Sequence, residues 1–506
     1  MSSSSGRGPA PWDLLVVGGG TAGLVAAHTG AQLGARVALV EEQRTGGECL
    51  WTGCVPSKTL LAAADVVATL RQGREYAAGG DVRVDFPAVM AHVRRAVAAI
   101  EPVDSPQALQ AAGVEVLTGR ASFDGLSSVV VAGARVAFGR AVLATGAAPA
   151  VPDVPGLAAA GPLTSETVWA LRELPQRLLV VGGGPAGCEL SQAFARLGSR
   201  VTLVQRGPRL LPRFDADAAA VLSRALERDG VAVRLRSRVL RVDGAAGRPG
   251  VALVADGAGE TAVAYDALLV TTGKRPRTVG LGLDLAGIGV DADGAVVVDG
   301  RLRTTNARVW AAGDVTPAPR LTHLAAYHAG IAATNALLGL GVRPDSTAVP
   351  QVVFTDPEVA GVGTAIGSAT GSVTRSAAGS TTRRPPRTVT AGHDHVDRAV
   401  ADGRTEGFTR LAVSTTGRVT GATIVGPRAG ESISELAFAV RRRVRVTALA
   451  STVHPYPTYG YGVWDAAVTE VRRRSTRIGL WHLTQAVIRL RRLPVPRRRV
   501  TTQSST

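Results

Sequence analysis

The sequence predicts an α/β fold with two Rossmann-like domains, and three observations carry this prediction. A short apolar run, residues 13–17, precedes a Gly-rich turn, an Ala-rich helical segment and a second strand at 36–40. The same order of elements recurs between residues 178 and 204. Alanine, valine and glycine are abundant, with 60 glycines in 506 residues, which suits close packing of helices on a sheet. A chain of this length is too long for one core and predicts two to four domains.

The first Gly-rich turn has the glycine spacing of a dinucleotide site. Gly18 permits the tight turn, Gly20 lets backbone approach a pyrophosphate, and Gly23 lets the helix pack on the strand. The helix N-terminus offers free N–H groups and the positive end of its dipole to the phosphates. Glu41, at the end of the second strand, can accept hydrogen bonds from a ribose. Because strand, helix, strand and acid occur together, we interpret the turn as a nucleotide site rather than a chance Gly-rich loop.

The second Gly-rich turn, residues 182–187, repeats the spacing but differs where the ribose acid should stand. Gln205 and Arg206 occupy that corner. The missing carboxylate removes repulsion against a 2′-phosphate, and an arginine can pair with one, so we hypothesise that this site prefers NADPH to NADH. The alternative is that Arg206 is a solvated surface arginine.

Three further strand ends support the pair of nucleotide sites. Residues 144–146 and 271–273 each close a strand rich in valine and leucine, and each would cross beneath a bound dinucleotide. Residues 309–314 form a strand that ends in Gly-Asp. An acid at the carboxyl end of a strand in an open α/β sheet faces the ligand crevice, so Asp314 is a candidate to hold a ribityl hydroxyl. A plain helix N-cap is the alternative for this aspartate.

Two cysteines, Cys49 and Cys54, lie in a Gly-rich segment at Cys-x4-Cys spacing. Near the start of a helix two such sulfurs can meet across one turn, and the helix N-terminus lowers the thiol pKa. Three cysteines in the whole chain are too few for a secreted disulfide scaffold, so a reducing cytoplasm is the expected setting. We interpret the pair as a redox-active disulfide. The competing interpretations are a structural disulfide or a metal pair, and a metal pair wants shorter spacing and more ligands, so no metal site is expected.

Together these motifs resemble those of the flavoprotein pyridine nucleotide–disulfide oxidoreductases, a class I family that includes mercuric reductase, dihydrolipoamide dehydrogenase and glutathione reductase. The resemblance runs from about residue 13 to about residue 464 and includes 353–358, which is similar to the opening of the family's interface domain. It implies FAD in the first site and NADPH or NADH, as electron donor, in the second. It makes Cys49 the interchange sulfur and Cys54 the charge-transfer sulfur, and it pairs Lys58 with Glu189 beside the flavin. It also implies a homodimer in which the partner's C-terminal domain completes each active site.

These inferences define the expected domains and candidate residues. The domains are an FAD-binding domain in two parts, 12–150 and 277–349, an NAD(P)-binding domain at 151–276, an α+β interface domain for dimerisation at 350–465, and a basic amphipathic helical tail at 466–506. The candidate FAD-binding residues are Gly18, Gly20, Gly23, Glu41, Lys58, Ala121, Thr145, Gly146, Gly313, Asp314 and Thr322. The candidate NAD(P)-binding residues are Gly182, Gly184, Gly187, Gln205, Arg206 and Gly273. The candidate catalytic residues are Cys49, Cys54, Lys58, Glu189, Tyr456 and His454.

The chain departs from the family pattern at the end of the interface domain. The disulfide-reducing members have an acid/base histidine there, in a His-Pro-Thr sequence followed by a glutamate. Here Tyr456 stands at the histidine position, Tyr461 at the glutamate position, and His454 two residues early. An unperturbed tyrosine, with a pKa of about 10, shuttles protons poorly at neutral pH. The alternative for Tyr456 is interface packing.

This departure favours a mercuric-reductase-like enzyme that passes electrons from NAD(P)H through FAD and the cysteine pair to an undetermined small-molecule or metal-ion acceptor. Tyrosine at this position resembles mercuric reductase, although no cysteine follows Cys188 to match that enzyme's C-terminal cysteine pair. The alternatives are a disulfide reductase of the dihydrolipoamide dehydrogenase or glutathione reductase type, a quinone reductase (diaphorase) at a membrane surface, and a non-catalytic redox sensor.

Charge is concentrated at the C-terminal end. The net charge is +17, no acid follows Glu470, and ten arginines lie between residues 472 and 499. Because this appendix supplies more than half of the excess charge, no nucleic-acid partner is expected. Residues 478–493 predict an amphipathic helix whose basic, leucine- and tryptophan-containing surface suits peripheral contact with an anionic membrane. The alternatives are a helix packed on the dimer or a frayed tail. No apolar run in the sequence is long enough to span a bilayer.

The composition of residues 364–392, which are rich in Gly, Ser, Thr and Arg, predicts a poorly ordered connection or ragged strands.

Overall fold

The computed structural model describes residues 10–73, 82–364, 386–477 and 480–492. The strands are β1 Trp12–Val17, β2 Val37–Glu41, β3 Val114–Thr118, β4 Ala121–Gly125, β5 Ser128–Val131, β6 Ala134–Leu143, β7 Ala147–Pro149, β8 Arg177–Val181, β9 Arg200–Val204, β10 Ala232–Arg234, β11 Arg238–Asp243, β12 Gly250–Asp256, β13 Gly259–Tyr265, β14 Ala267–Val270, β15 Lys274–Pro276, β16 Val309–Ala311, β17 Gln351–Val353, β18 Glu358–Gly363, β19 Arg387–Gly392, β20 Phe408–Val413 and β21 Val419–Gly426. The helices are α1 Thr21–Gln32, α2 Gly47–Trp51, α3 Cys54–Gln72, α4 Phe86–Ile100, α5 Pro106–Ala111, α6 Pro185–Leu197, α7 Ala216–Arg228, α8 Thr322–Leu338, α9 Asp397–Ala401, α10 Ala429–Arg441, α11 Val446–Ser451, α12 Tyr461–Arg477 and α13 Leu480–Arg491.

The first sheet has the strand order β3-β2-β1-β6-β5-β4, with β16 also paired to β6. Strands β1, β2, β3, β6 and β16 run parallel, while β4 and β5 pair antiparallel. Successive side chains of β1 point to opposite faces. Leu14 and Val16 pack in the cluster formed with α1 and α8, whereas Leu15 and Val17 pack with residues of β4 and β5. A strand buried on both faces has to be apolar throughout, and this explains the continuous apolar run in the sequence.

The second sheet repeats the arrangement. Its four strands run parallel in the order β10-β9-β8-β14, and α6 follows β8 as α1 follows β1. An antiparallel sheet, β11-β12-β13, lies between β10 and β14 in the sequence. Each end of β1, β2, β8 and β9, the strands that flank the two Gly-rich turns, lies within one residue of the position predicted from the sequence. Two short strands, β7, which follows β6, and β15, which follows β14, form an antiparallel ribbon.

The C-terminal part is an antiparallel sheet in the order β17-β18-β21-β20-β19, packed against α10, α11 and α12. The expected fold class, α/β with an α+β C-terminal domain, is therefore confirmed. Residues 387–392 do not form the ragged strand expected of them, because they pair regularly with β20 along their whole length. Residues 365–385 of the same predicted connection lie outside the described residues.

The predicted tail begins inside a helix of the C-terminal part. The expected boundary between 465 and 466 lies within α12, and α13 follows with helical residues 480–491. Residue 492 forms a turn after α13, and residues 478–479 and 493 of the predicted helix lie outside the described residues. One helical stretch, 47–72, meets length and composition criteria for a membrane span, which the sequence interpretation did not anticipate. It is interrupted between α2 and α3, contains both redox cysteines, and packs through α3 against α4 and α6.

Candidate active site

The first Gly-rich turn forms a cradle between β1 and α1. A Cβ added at Gly23 would lie 1.8 Å from the carbonyl oxygen of Gly18, so only glycine allows this close packing of helix on turn. The Glu41 carboxylate accepts the N–H of Gly19 at 2.6 Å. Gly20 is the N-cap of α1 and provides no side-chain hydrogen bond, so the first N–H groups of the helix remain available to an anion. These residues fit the dinucleotide that the sequence predicts.

The second Gly-rich turn repeats this geometry between β8 and α6. A Cβ at Gly187 would again lie 1.8 Å from a carbonyl oxygen, that of Gly182. Gly184 is the N-cap of α6, again without a side-chain hydrogen bond. The side-chain oxygen of Gln205 accepts the N–H of Gly183 at 3.1 Å, so this amide takes the position that Glu41 has in the first cradle. Arg206 follows it and is exposed.

The predicted strand-end residues converge near the ribbon of β7 and β15. Thr145 and Gly146 lie between β6 and β7, and the Thr145 hydroxyl donates to the carbonyl of Arg277 at 2.8 Å. Gly273 lies between β14 and β15.

Ala121, another candidate FAD-binding residue, begins β4 in the first sheet. The loop before it is joined to the end of β2 by a 2.8 Å hydrogen bond from the Gly119 N–H to the Glu41 carbonyl.

The Gly-Asp turn after β16 lies against the first cradle. A Cβ added at Gly313 would lie 3.0 Å from the Cβ of Ala22 in the first turn of α1. The carboxylate of Asp314 accepts a hydrogen bond from Lys274 at 3.3 Å. The next described α-helix along the chain, α8, begins only at Thr322, so Asp314 does not act as its N-cap. Its position therefore supports the ligand role that the sequence predicts.

The cysteine pair lies where α2 meets α3. Cys49 is in α2 and Cys54 is the first residue of α3, both partly buried and both present as thiols. The hydrogen bond from Cys49 lowers the pKa of Cys54 to about 6, against the opposing effect of burial. The hydroxyl of Thr322, 3.2 Å from the Cys54 sulfur, and the charge of Lys58 lower this pKa further.

The same hydrogen bond acts in the opposite direction on its other partner. Together with burial it raises the pKa of Cys49. The two opposite shifts favour a thiolate on Cys54 and a proton on Cys49. This distribution supports the assignment of Cys54 as the charge-transfer sulfur.

Lys58 and Glu189 form the ion pair that the resemblance implies, with 2.9 Å between Nζ and Oε2. The Glu189 side chain is only 6% exposed, and its second oxygen accepts the N–H of Phe354 at 2.9 Å. The Lys58 ammonium lies 4.5 Å from the centre of the Phe354 ring. The pair thus connects α3 and α6 to the start of the C-terminal domain.

His454 and Tyr456 have different surroundings although they are two residues apart. The His454 side chain is 7% exposed, and its ring nitrogens lie 3.0 Å from the Thr452 carbonyl and 3.1 Å from the Glu435 carboxylate. Both ring nitrogens are therefore engaged. Tyr456 is 62% exposed and donates its hydroxyl hydrogen bond to Asp397, which raises the pKa of the tyrosine.

A charged contact at the first cradle was not predicted. The Nζ atom of Lys274 lies 2.6 Å from Glu48 as well as 3.3 Å from Asp314. Glu48 precedes the first redox cysteine, and Lys274 follows one of the predicted strand-end glycines. Both charged residues adjoin recognised motifs, but they are 226 positions apart, so their pairing is not evident from the sequence.

Comparison with known proteins agrees with this geometry. A family model described as pyridine nucleotide-disulphide oxidoreductase matches residues 12–329, and the dimerisation domain of the same family matches residues 349–467. Mercuric reductase from Streptomyces lividans is 36% identical over 473 residues, covering 90% of this chain and 96% of that protein. Dihydrolipoyl dehydrogenase from Thermus scotoductus is 35% identical over 472 residues, with the same two coverages, 90% and 96%.

A solved structure extends the similarity to the whole fold. The Cu(II) complex of the HOCl-induced flavoprotein disulfide reductase RclA from Escherichia coli matches with a TM-score of 0.78 at 27% identity. The match covers 91% of this chain and all of the RclA chain. The matched dimerisation domain supports a homodimer. The chain belongs to the class I pyridine nucleotide-disulphide oxidoreductases, FAD-dependent enzymes whose electron donor is NAD(P)H.

Proposed function

We propose that this enzyme passes electrons from NADPH through FAD to the Cys49–Cys54 pair and onward to a soft metal ion, as a mercuric-reductase-like enzyme. The observation that carries the proposal is the residue at the acid/base position, an exposed Tyr456 with a raised pKa. The nearby histidine has both ring nitrogens engaged. Mercuric reductases among the relatives, and a Cu(II) complex among the similar structures, support the same acceptor class.

The choice between a metal ion and a disulfide follows from where protons are needed. Reducing a disulfide releases thiolates that an acid has to protonate, whereas a bound metal ion receives electrons without a proton. Thiolates are soft ligands that suit soft metal ions. Bound FAD supplies the two-electron step between the coenzyme and the cysteine pair. In this proposal Cys54, whose pKa is lowered, provides the thiolate, and Cys49 provides the second sulfur for the acceptor.

The second cradle supports NADPH as the preferred donor. The Gln205 amide satisfies the Gly183 N–H without placing a carboxylate there, and Arg206 is exposed beside it. A 2′-phosphate would therefore meet a cation rather than a like charge. The setting that we propose for this chemistry is the cytoplasm.

An acceptor comparison under anaerobic conditions tests the proposal. Purified holoenzyme would be supplied with NADPH and with Hg(II), Cu(II), lipoamide or glutathione disulfide. We expect metal-dependent NADPH oxidation that is lost in Cys49→Ser and Cys54→Ser and retained in Tyr456→Phe. Rapid turnover of lipoamide or glutathione disulfide would contradict the proposal.

A second candidate, quinone reduction at a membrane surface, is favoured by one observation. In α13, Val487, Ile488 and Leu490 are exposed next to exposed Arg489 and Arg491. Apolar side chains among basic ones suit an anionic lipid surface.

Co-sedimentation of the full chain with vesicles tests this surface. The vesicles would be phosphatidylserine-containing or purely zwitterionic. We expect binding only to the anionic vesicles, and its loss when Arg489 and Arg491 are replaced by glutamate. Quinone reduction that persists in Cys49→Ser would favour this second function over metal reduction, because direct transfer from flavin does not need the cysteines.

A further inference from the structure

Lys274 bridges two carboxylates in a largely buried position. Its Nζ atom lies 2.6 Å from Oε2 of Glu48 and 3.3 Å from Oδ2 of Asp314, and its side chain is 26% exposed. Burial lowers the pKa of Lys274, but the charges of Glu48 and Asp314 outweigh burial and raise the pKa above its ordinary value. The bridging group is therefore a charged ammonium.

The three residues come from three separate elements that meet at the first cradle. Glu48 lies in α2, Asp314 follows β16, and Lys274 begins β15 in the ribbon with β7. The segment before Glu48 touches the cradle, because a Cβ added at Gly47 would lie 2.5 Å from the Cα of Gly20. The turn before Asp314 touches the first turn of α1 through Gly313.

This arrangement places two negative charges beside a site for an anionic diphosphate. The first turn of α1, residues 21–24, contains no basic side chain. Two other nearby cations have partners of their own. Arg44 stacks on the ring of Trp51, with 3.7 Å from its guanidinium carbon to the ring centre, and Lys58 is paired with Glu189 at 2.9 Å. Lys274 is therefore well placed to offset the repulsion between these carboxylates and a diphosphate.

We propose that Lys274 is a positioning residue of the FAD site, which holds Glu48 and Asp314 and compensates their charge beside the bound diphosphate. Lys274 bonds one oxygen of Asp314, Oδ2, and in the described part of the chain no hydrogen bond to Oδ1 is observed. That second oxygen remains available to a ribityl hydroxyl. The inference concerns FAD binding and does not depend on which acceptor the enzyme reduces.

FAD titration of the full-length apo-protein, followed by quenching of flavin fluorescence, tests the role directly. We expect Lys274→Met to weaken FAD binding by roughly tenfold or more, because it leaves two carboxylates uncompensated. Lys274→Arg should bind FAD nearly as well as the wild type. Adding Glu48→Gln to Lys274→Met should restore much of the lost affinity, because it removes one of the repelling charges.

Two controls separate this role from a general effect on folding. Arg277→Met removes a neighbouring ion pair, Arg277–Glu166 at 2.6 Å, and should leave FAD affinity unchanged. If Lys274→Met does not fold, Glu48→Gln alone remains informative, because the proposal requires it to bind FAD at least as tightly as the wild type. FAD affinity within twofold of wild type for Lys274→Met, or a loss for Glu48→Gln, would overturn the proposal.

Discussion

The two Gly-rich cradles have the same backbone geometry and differ in one functional group. In both, an added Cβ on the third glycine of the motif would lie 1.8 Å from the carbonyl of the first. In the first cradle the Glu41 carboxylate accepts the N–H of Gly19 at 2.6 Å. In the second, the amide oxygen of Gln205 accepts the N–H of Gly183 at 3.1 Å. Hydrogen bonds to charged acceptors are shorter and stronger than those to neutral ones. The backbone therefore builds a dinucleotide site, while the residue at the end of the second strand sets its charge.

The largest effect is expected from breaking the shared geometry in one cradle at a time. Gly23→Ala and Gly187→Ala each force a methyl group into a carbonyl oxygen. Gly23→Ala should give a colourless protein, because FAD is lost. Gly187→Ala should remain yellow but should no longer be reduced by NADPH. Flavin absorbance before and after anaerobic addition of NADPH measures the FAD content and the reduction of the flavin. If NADPH reduced the Gly187→Ala enzyme at the wild-type rate, the second cradle would not be the coenzyme site.

A smaller effect is expected from exchanging the functional group that differs. Gln205→Glu gives the second cradle the carboxylate of the first and should repel a 2′-phosphate. The ratio of kcat/KM for NADPH to that for NADH should fall by roughly tenfold, equivalent to about 1.4 kcal/mol. The reciprocal change, Glu41→Gln, is the control, since it should weaken FAD binding and leave the coenzyme ratio unchanged. An unchanged ratio in Gln205→Glu would mean that this corner does not select the coenzyme.

The difference between the cradles also explains which features the sequence reveals. Strand, turn and helix are local, so the glycine spacing and the residues Glu41 and Gln205 are recognisable in the sequence alone. Contacts between distant elements depend on the order of strands in the sheet. Thr322 was predicted only as an FAD-binding residue, yet its hydroxyl lies 3.2 Å from Cys54, 268 positions away. The Lys274 bridge was missed for the same reason.

The C-terminal domain shows where sequence reasoning was weakest. The composition of residues 364–392 predicted a poorly ordered connection or ragged strands. Residues 387–392 instead form a regular strand, because pairing with β20 outweighs their weak local pattern. The predicted tail boundary lies inside α12, because the helix continues past the last recognised motif to residue 477. The roles of His454 and Tyr456 remain predictions.

A third prediction compares the cysteines near the two cradles. The pKa of Cys54 is lowered to about 6, whereas burial raises the pKa of Cys188, which lies in α6 after the second turn. A lowered pKa means that Cys54 is a thiolate above about pH 6 and a thiol below it. Ultraviolet thiolate absorbance of the reduced apo-protein should therefore show one midpoint near pH 6, to which Cys188 contributes nothing.

The groups that set this midpoint can be tested separately. The groups with the largest effects on Cys54 are the Cys49 thiol, the Thr322 hydroxyl, the Lys58 ammonium and the Glu48 carboxylate. Cys49→Ala removes the strongest of them and should raise the midpoint, while Cys188→Ser should leave it unchanged. If the midpoint moved in Cys188→Ser, the low-pKa thiol would be Cys188 rather than Cys54, and the prediction would be wrong.

The smallest effect is expected at Thr322, whose hydroxyl is the second group that lowers the pKa of Cys54. Thr322→Val keeps the shape of the side chain but removes the 3.2 Å contact with the sulfur. A hydrogen bond of this kind contributes about 1 kcal/mol, so the midpoint should rise by less than about one pH unit. Thr322→Ser keeps the hydroxyl and should restore the wild-type midpoint. If the midpoint is unchanged in Thr322→Val, the low pKa of Cys54 arises from the cysteine–cysteine hydrogen bond and Lys58 alone. Thr322, the first residue of α8, would then not contribute to the pKa difference between Cys54 and Cys188.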